Sequence, residues 1–193
     1  MNMYDIIAAR RTIRQFKQDK ISEEILRKLV NGGRLAPSAS NLQPLEFFIA
    51  DDPGLRKKIF PCLKWAAYIA PKGNPEPGRE PVAYIFPLVN IKVRKTGYEY
   101  DVGAAMENMI LAAWAVGIAS CWLLSLDRDR LRIVLDVPAN YVIDSVLALG
   151  YPDEESKIEN FSGSVKYWKD SQGLFHVPKR SLEEVMHYNR FTS

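Results

Sequence analysis

Tyr4, Ile7, Ala8 and Arg11 recur at the spacing of one helical face, so residues 3–11 read as a first helix. Ser22 is an N-cap signal for a second helix, with Glu23 and Glu24 in the first turn favouring the helix dipole. Ile25, Leu26, Leu29 and Val30 supply its apolar side. "LEFFIA", Leu45 to Ala50, reads as a strand. Asp52-Pro53 has the order of an N-cap followed by proline at the first helical position, opening a short helix through Ile59. Residues 71–81 hold four prolines and two glycines and read as a loop.

The apolar run "VAYIFPLVNIKV" is the next strand. Asp101 is placed to cap a long helix, Val102 to Val116, whose only strongly polar residues are Glu107 and Asn108. A helix apolar on nearly every side is buried in a core or against another subunit. "ASCWLL" is then a strand, Asp127 to Val134 a helix and "YVIDSVLALG" a further strand. Val165 to Val177 alternates aromatic and polar residues around Ser171-Gln172-Gly173, the pattern of a hairpin. Ser181-Leu182-Glu183-Glu184 has the spacing of a capping box for a last helix. Helices and strands mix without strict alternation, which favours an α+β fold. The pattern predicts one domain over residues 1–193, with excursions at 71–81 and 152–178.

Composition narrows the function classes. The chain of 193 residues is 47% hydrophobic and carries a net charge of +3, enough for a core and too mildly basic to imply nucleic acid by itself. Cys62 and Cys121 form no metal-type spacing, and both read as small apolar residues in a reducing compartment. The longest apolar run, Met109 to Leu124, is too short for a membrane span and is interrupted by Gly117 and Ser120. The N-terminus reads as an amphipathic helix and not as a signal sequence, which points to the cytoplasm.

Candidate chemistry begins at "RRTIRQF". Arg10 and Arg14 are i, i+4 neighbours with Arg11 beside them, a crowding tolerated in water or around an anion. Arginine's planar fork suits phosphate, yet a solvated basic face is the plainer reading of the motif alone. "LAPSASNLQPLEF" sets Ser38, Ser40, Asn41 and Gln43 between two prolines, groups able to fix a polar ligand or to make an ordinary turn. Lys179-Arg180 adds a late basic pair, and His176 and His187 lack an acid partner at a revealing spacing. The sequence has no G-x-G-x-x-G, P-loop, H-E-x-x-H, C-x-x-C or G-x-S-x-G, so if the chain is an enzyme a bound cofactor should carry the chemistry.

Taken in order, "RRTIRQF", "APSASNLQP", "DVGAAMENMILAAWAVGIASCWLL", "LGYPDE" and "VPKRSLEEVMHYNRF" resemble the nitroreductase family of FMN enzymes over nearly the whole chain. The resemblance implies an α+β fold with a central, mostly antiparallel sheet flanked by helices. It also implies an intertwined homodimer with FMN sites built from both chains. Arg10, Arg11 and Arg14 then match the arginines that hold the FMN phosphate and ribityl oxygens, with Thr12 where the family usually has serine. Pro37, Ser38, Ala39, Ser40 and Asn41 match the loop that reaches the flavin from the partner chain. The strand after the long helix places a backbone N–H at flavin N5, here Leu123, Leu124 or Ser125 after Trp122. Lys179 and Arg180 add phosphate contacts, and Lys64 is a further cofactor-binding candidate.

The implied activity is ping-pong transfer of a hydride from NADH or NADPH, by way of flavin N5, to an electron-poor acceptor such as a nitroaromatic, quinone or enone. No protein side chain serves as catalyst, and no metal is implied. The 71–81 loop and the Val165–Val177 hairpin are the candidate lids over the flavin. Two alternatives stand beside this one: a flavin-binding or storage protein without turnover, and a basic nucleic-acid-binding domain.

Overall fold

The computed structural model describes residues 2–191, so the outermost positions of the expected 1–193 domain lie outside the described residues. In chain order the elements are α1 (Met3–Ala9), β1 (Phe16–Lys17), α2 (Glu23–Arg34), β2 (Leu45–Ala50), α3 (Pro53–Ile59), β3 (Ala83–Asn90) and α4 (Glu99–Ala115). They continue with β4 (Ala119–Leu123), α5 (Arg128–Val134), β5 (Tyr141–Ile143), β6 (Val146–Pro152), β7 (Ser156–Asn160), β8 (Trp168–Lys169) and β9 (Phe175–Lys179).

The main sheet is antiparallel throughout. β3 pairs with β2, β5 and β6, while β6 also pairs with β4 and, at its end, with β1. Both faces of this sheet are buried, because alternate side chains of a strand point to opposite sides. Tyr84, Phe86 and Leu88 of β3 join Ala148 of β6, Ile59 of α3 and Leu131 of α5 on one face. Ile85 and Val89 join Leu147, Leu149, Leu26 and Leu29 of α2, and Met106 and Met109 of α4, on the other. Gly33 lets α2 approach closely, since a Cβ there would lie 3.1 Å from Met109 Sδ and from Phe47 Cζ. A second, smaller sheet has β9 in the middle, parallel to β7 and antiparallel to β8.

Several expected elements form where the pattern placed them. Ser22 Oγ accepts from Ile25 N (3.3 Å), and Asp52 Oδ1 accepts from Leu55 N (2.7 Å). Three differ. First, the long helix begins at Glu99, with Tyr98 at the cap, and Asp101 lies inside its first turn. An acidic residue is favourable at either position, so composition alone does not separate cap from first turn.

Second, "YVIDSVLALG" divides into β5 and β6. The pairing with β3 slips by one residue between Leu88↔Ile143 and Ile85↔Leu147, opposite Pro87, which has no N–H to give the ladder. Third, the capping box at Ser181 closes, with Ser181 N donating to Glu184 Oε2 (2.8 Å) and Glu184 N to Ser181 Oγ (3.3 Å). Only a single turn follows it. Leu182, Val185 and Met186 stay exposed, and a turn without burial does not offset the cost of nucleation.

Candidate active site

The chain leaving α1 carries "RRTIRQF" to the junction of the two sheets. Ile13 and Phe16 are buried with Ala119, and Trp114 packs against them. Ile13 N donates to Ser120 O (3.0 Å), tying the motif to β4. Gln15 is buried and holds the Pro-rich loop: its Nε2 donates to Asn74 O (2.9 Å), and its Oε1 accepts from Glu76 N (3.0 Å). That loop is further anchored by Arg79, whose Nε meets Asp153 Oδ2 at 2.6 Å.

With the apolar and amide side chains turned inward, Arg10, Arg11, Thr12 and Arg14 line one cleft together with Lys179 of β9. The cleft holds about 470 Å3, and its remaining walls come from α1, β7 and the hairpin, including Ile7, Ile158 and Tyr167. Three arginines and a lysine line it, and no acidic residue does. Burial first, and then neighbouring Arg10, lower the pKa of Arg11. Its Nη1 donates to Ala8 O (2.8 Å) and Arg10 O (2.7 Å). Arg14 lies against two neighbouring rings, its guanidinium carbon 5.2 Å from the centres of both Tyr167 and Phe175, and its Nε is buried without a hydrogen-bond partner. Such a concentration of cations is stabilised by an anion with several oxygens, and phosphate fits that donor set.

The late basic pair divides. Lys179 lines the cleft, whereas Arg180 is exposed and donates Nη2 to Glu184 O. Neither cysteine is a ready nucleophile. Burial pushes the Cys121 thiol up to about 11 against the opposing pull of Arg14, and burial also raises Cys62.

The Pro37–Asn41 loop forms elsewhere. It borders a cavity of about 160 Å3 that shares no lining residue with the arginine cleft. Ala39 N donates to Asp101 Oδ1 (3.1 Å), and Arg94 Nη1 clasps both oxygens of that carboxylate at 3.2 and 3.0 Å. Ser38 Oγ accepts from Gln43 N (3.0 Å). Ser40 and Asn41, both at φ 53°, are exposed, a left-handed conformation that costs non-glycine residues energy and recurs at ligand sites.

β4 connects the arginine motif to the other candidate segment. Ser120 at its start pairs with Thr12, and beyond its end Leu124 and Ser125 are exposed. Ser125 O accepts from Lys64 N (3.1 Å), which puts exposed Lys64 beside this segment. Leu123 is buried, and Trp122 packs into the core with its Nε1 unpartnered.

Four residues around the arginine motif had no role assigned from the sequence: Gln15 and Glu154, inside quoted motifs, and Tyr167 and Phe175. His176 also departs from expectation. It does have acid partners, Nδ1 at 2.7 Å from Glu159 Oε1 and Nε2 at 3.1 Å from Asp170 Oδ2, supplied by β7 and by the hairpin turn.

Against known proteins, a model of the Nitroreductase family matches residues 7–83 and 97–151, which include the arginine motif, the Pro37–Asn41 loop and the end of β4. An Archaeoglobus fulgidus protein, provisionally named NADH dehydrogenase/NAD(P)H nitroreductase, is 34% identical over 157 residues, covering 78% of this chain and 85% of its own. The structure of an FMN-dependent nitroreductase from Clostridium difficile superposes with a TM-score of 0.72 at 23% identity, over 96% of this chain and 98% of that one. A provisionally named nitroreductase of Desulfovibrio desulfuricans, solved in complex with FMN, superposes with a TM-score of 0.67 at 25% identity, over 100% and 99% of the two chains. The family match spans both faces of the main sheet and the arginine-motif side of the cleft, and the chain belongs to the nitroreductase family.

Proposed function

We propose that this chain is an FMN-dependent oxidoreductase that passes a hydride from NADH or NADPH to an electron-poor acceptor. The observation that carries the reading is the cleft in which Arg10, Arg11, Arg14 and Lys179 meet with no acidic residue in its lining. These side chains hold the phosphate end of FMN, and the Thr12 hydroxyl adds a donor there. β4 then leads to exposed Leu124 and Ser125, which with Lys64 alongside would hold the ring end of the cofactor. The cofactor supplies the hydride chemistry, and the protein orients it, neutralises its phosphate and shapes access to its open face. Donor and acceptor visit that face in turn, which accords with the missing dinucleotide fingerprint.

The Pro37–Asn41 loop belongs, in this reading, to the site of a second copy of the chain. Three features support a homodimer: the exposed Ser40 and Asn41, the separation of the cavity at Pro37 and Ser38 from the arginine cleft, and the apolar surface left on one copy. Tyr4 on α1 is 77% exposed, and Tyr188 and Phe191 near the C-terminus are 82% and 80% exposed, rings suited to packing against a second copy. A nucleic-acid surface is disfavoured because the cations gather in a cleft with aliphatic walls instead of a stripe. The test is spectroscopic. Purified protein given FMN should show bound-flavin absorbance that bleaches with NADH or NADPH under anaerobic conditions. Protein that takes up no FMN contradicts the reading, and bound flavin that neither nicotinamide reduces points to a storage protein.

A further inference from the structure

The geometry points to Glu154, Tyr167 and Phe175 as positioning residues that present Arg14 to the anion in the cleft, so that the β8–β9 hairpin serves the phosphate end of the ligand. This rests on the reading of the cleft as the FMN phosphate site. Arg14 N donates to Glu154 Oε1 at 2.5 Å. The Glu154 side chain is only 3% exposed, and its other oxygen meets Lys169 Nζ of β8 at 3.6 Å. One buried carboxylate thus ties the backbone of the arginine motif to the hairpin.

Two adjoining rings back the guanidinium. Tyr167 and Phe175 stand 6.4 Å apart and each lies 5.2 Å from the Arg14 guanidinium carbon. Tyr167 is braced in turn by Tyr68, at 5.0 Å between ring centres. Phe175 is buried and also receives Lys169 Nζ, at 5.1 Å from its centre.

A guanidinium held by ring faces keeps its in-plane N–H donors for oxygen, because the ring attracts the charge without accepting a hydrogen bond from the fork. Glu154 does not line the cleft, so its carboxylate fixes Arg14 from behind without occupying the anion's place. Burial raises the Glu154 carboxyl pKa, opposed by the backbone N–H of Arg14 and by the charges of Lys169 and Arg14. The hairpin is therefore more than a cover over the acceptor, since its side chains fix an arginine that the first motif only supplies.

The experiment titrates FMN and riboflavin, which lacks the phosphate, into the apoprotein and follows flavin fluorescence. Wild type should prefer FMN. Tyr167→Leu and Glu154→Gln should each lower FMN affinity about tenfold, the scale of a lost cation–π or charge-assisted contact, and leave riboflavin binding unaltered. Tyr167→Phe should restore the preference, and neither change should add to the loss in an Arg14→Ala background. Tyr167 is half-buried, so its variants keep the test open if Glu154→Gln fails to fold. Folded variants that retain the FMN-to-riboflavin ratio, or that lose both ligands equally, overturn the inference. So does a changed acceptor KM with the ratio intact, which would put the hairpin at the acceptor end. A wild type with no preference for FMN overturns the phosphate reading of the cleft itself, and this inference with it.

Discussion

Gly150, in the motif "LGYPDE", shows how one residue shapes the site. A Cβ at this position would lie 2.7 Å from Phe16 Cβ and 2.8 Å from its ring, and Phe16 is the buried anchor of the arginine motif. Gly150→Ala should cost about 1–3 kcal/mol in denaturant unfolding, the usual penalty for overpacking, and weaken FMN binding by moving the motif. Arg14→Ala should weaken FMN binding by about 1–3 kcal/mol, measured by fluorescence titration, through loss of a charge-assisted contact. The arginines were legible because three cations in five residues need a reason, and order along the chain supplied one. Glu154 and Tyr167 were not legible. An acid in "DEES" and a tyrosine in a polar stretch become partners of Arg14 only when β6 and the hairpin bring them there.

At the scale of elements, the buried pair Arg94–Asp101 joins the first turn of α4 to the Pro37–Asn41 loop. Asp101→Ala leaves Arg94 without its partner, and breaking such a pair costs about 3–5 kcal/mol, read as a lowered denaturant midpoint. Sequence found α4 but began it three residues late and made Asp101 its cap, because the long-range contacts of a carboxylate leave no trace in local pattern.

The second sheet carries a pH dependence. Hydrogen bonds to Asp170 and then Glu159 raise His176 above its ordinary 6.5, opposed by desolvation and by Lys157, while Trp168 stacks on the ring at 4.8 Å. A raised histidine pKa gives stability that is full below 6.5 and fades as pH climbs through the folded-state value. Amide exchange in β9 should accelerate over that window beyond the intrinsic base-catalysed rise, and His176→Gln should remove the excess. Exchange that follows the intrinsic rate in both proteins would show that the histidine does not hold the sheet.

For the whole molecule, the described residues contain no helix long and apolar enough to cross a membrane, and the apolar surface they expose includes residues of α1 and the C-terminal turns. The account makes that surface a subunit interface and each flavin site a product of two chains. Tyr4→Asp combined with Phe191→Asp should shift sedimentation towards monomer and release FMN in parallel. A monomeric variant that keeps full FMN affinity would separate the two properties. Fold class was readable from the mixing of helices and strands, and the sheet's antiparallel character came from the family resemblance, whereas which copy a loop serves is set by assembly.

The most direct measurement is a crystal structure of the FMN-loaded protein. The account predicts the phosphate among Arg10, Arg11, Arg14 and Lys179, with the ring edge at Leu124–Ser125 and the Pro37–Asn41 loop of a second copy against it. A phosphate bound away from these four cations would contradict it.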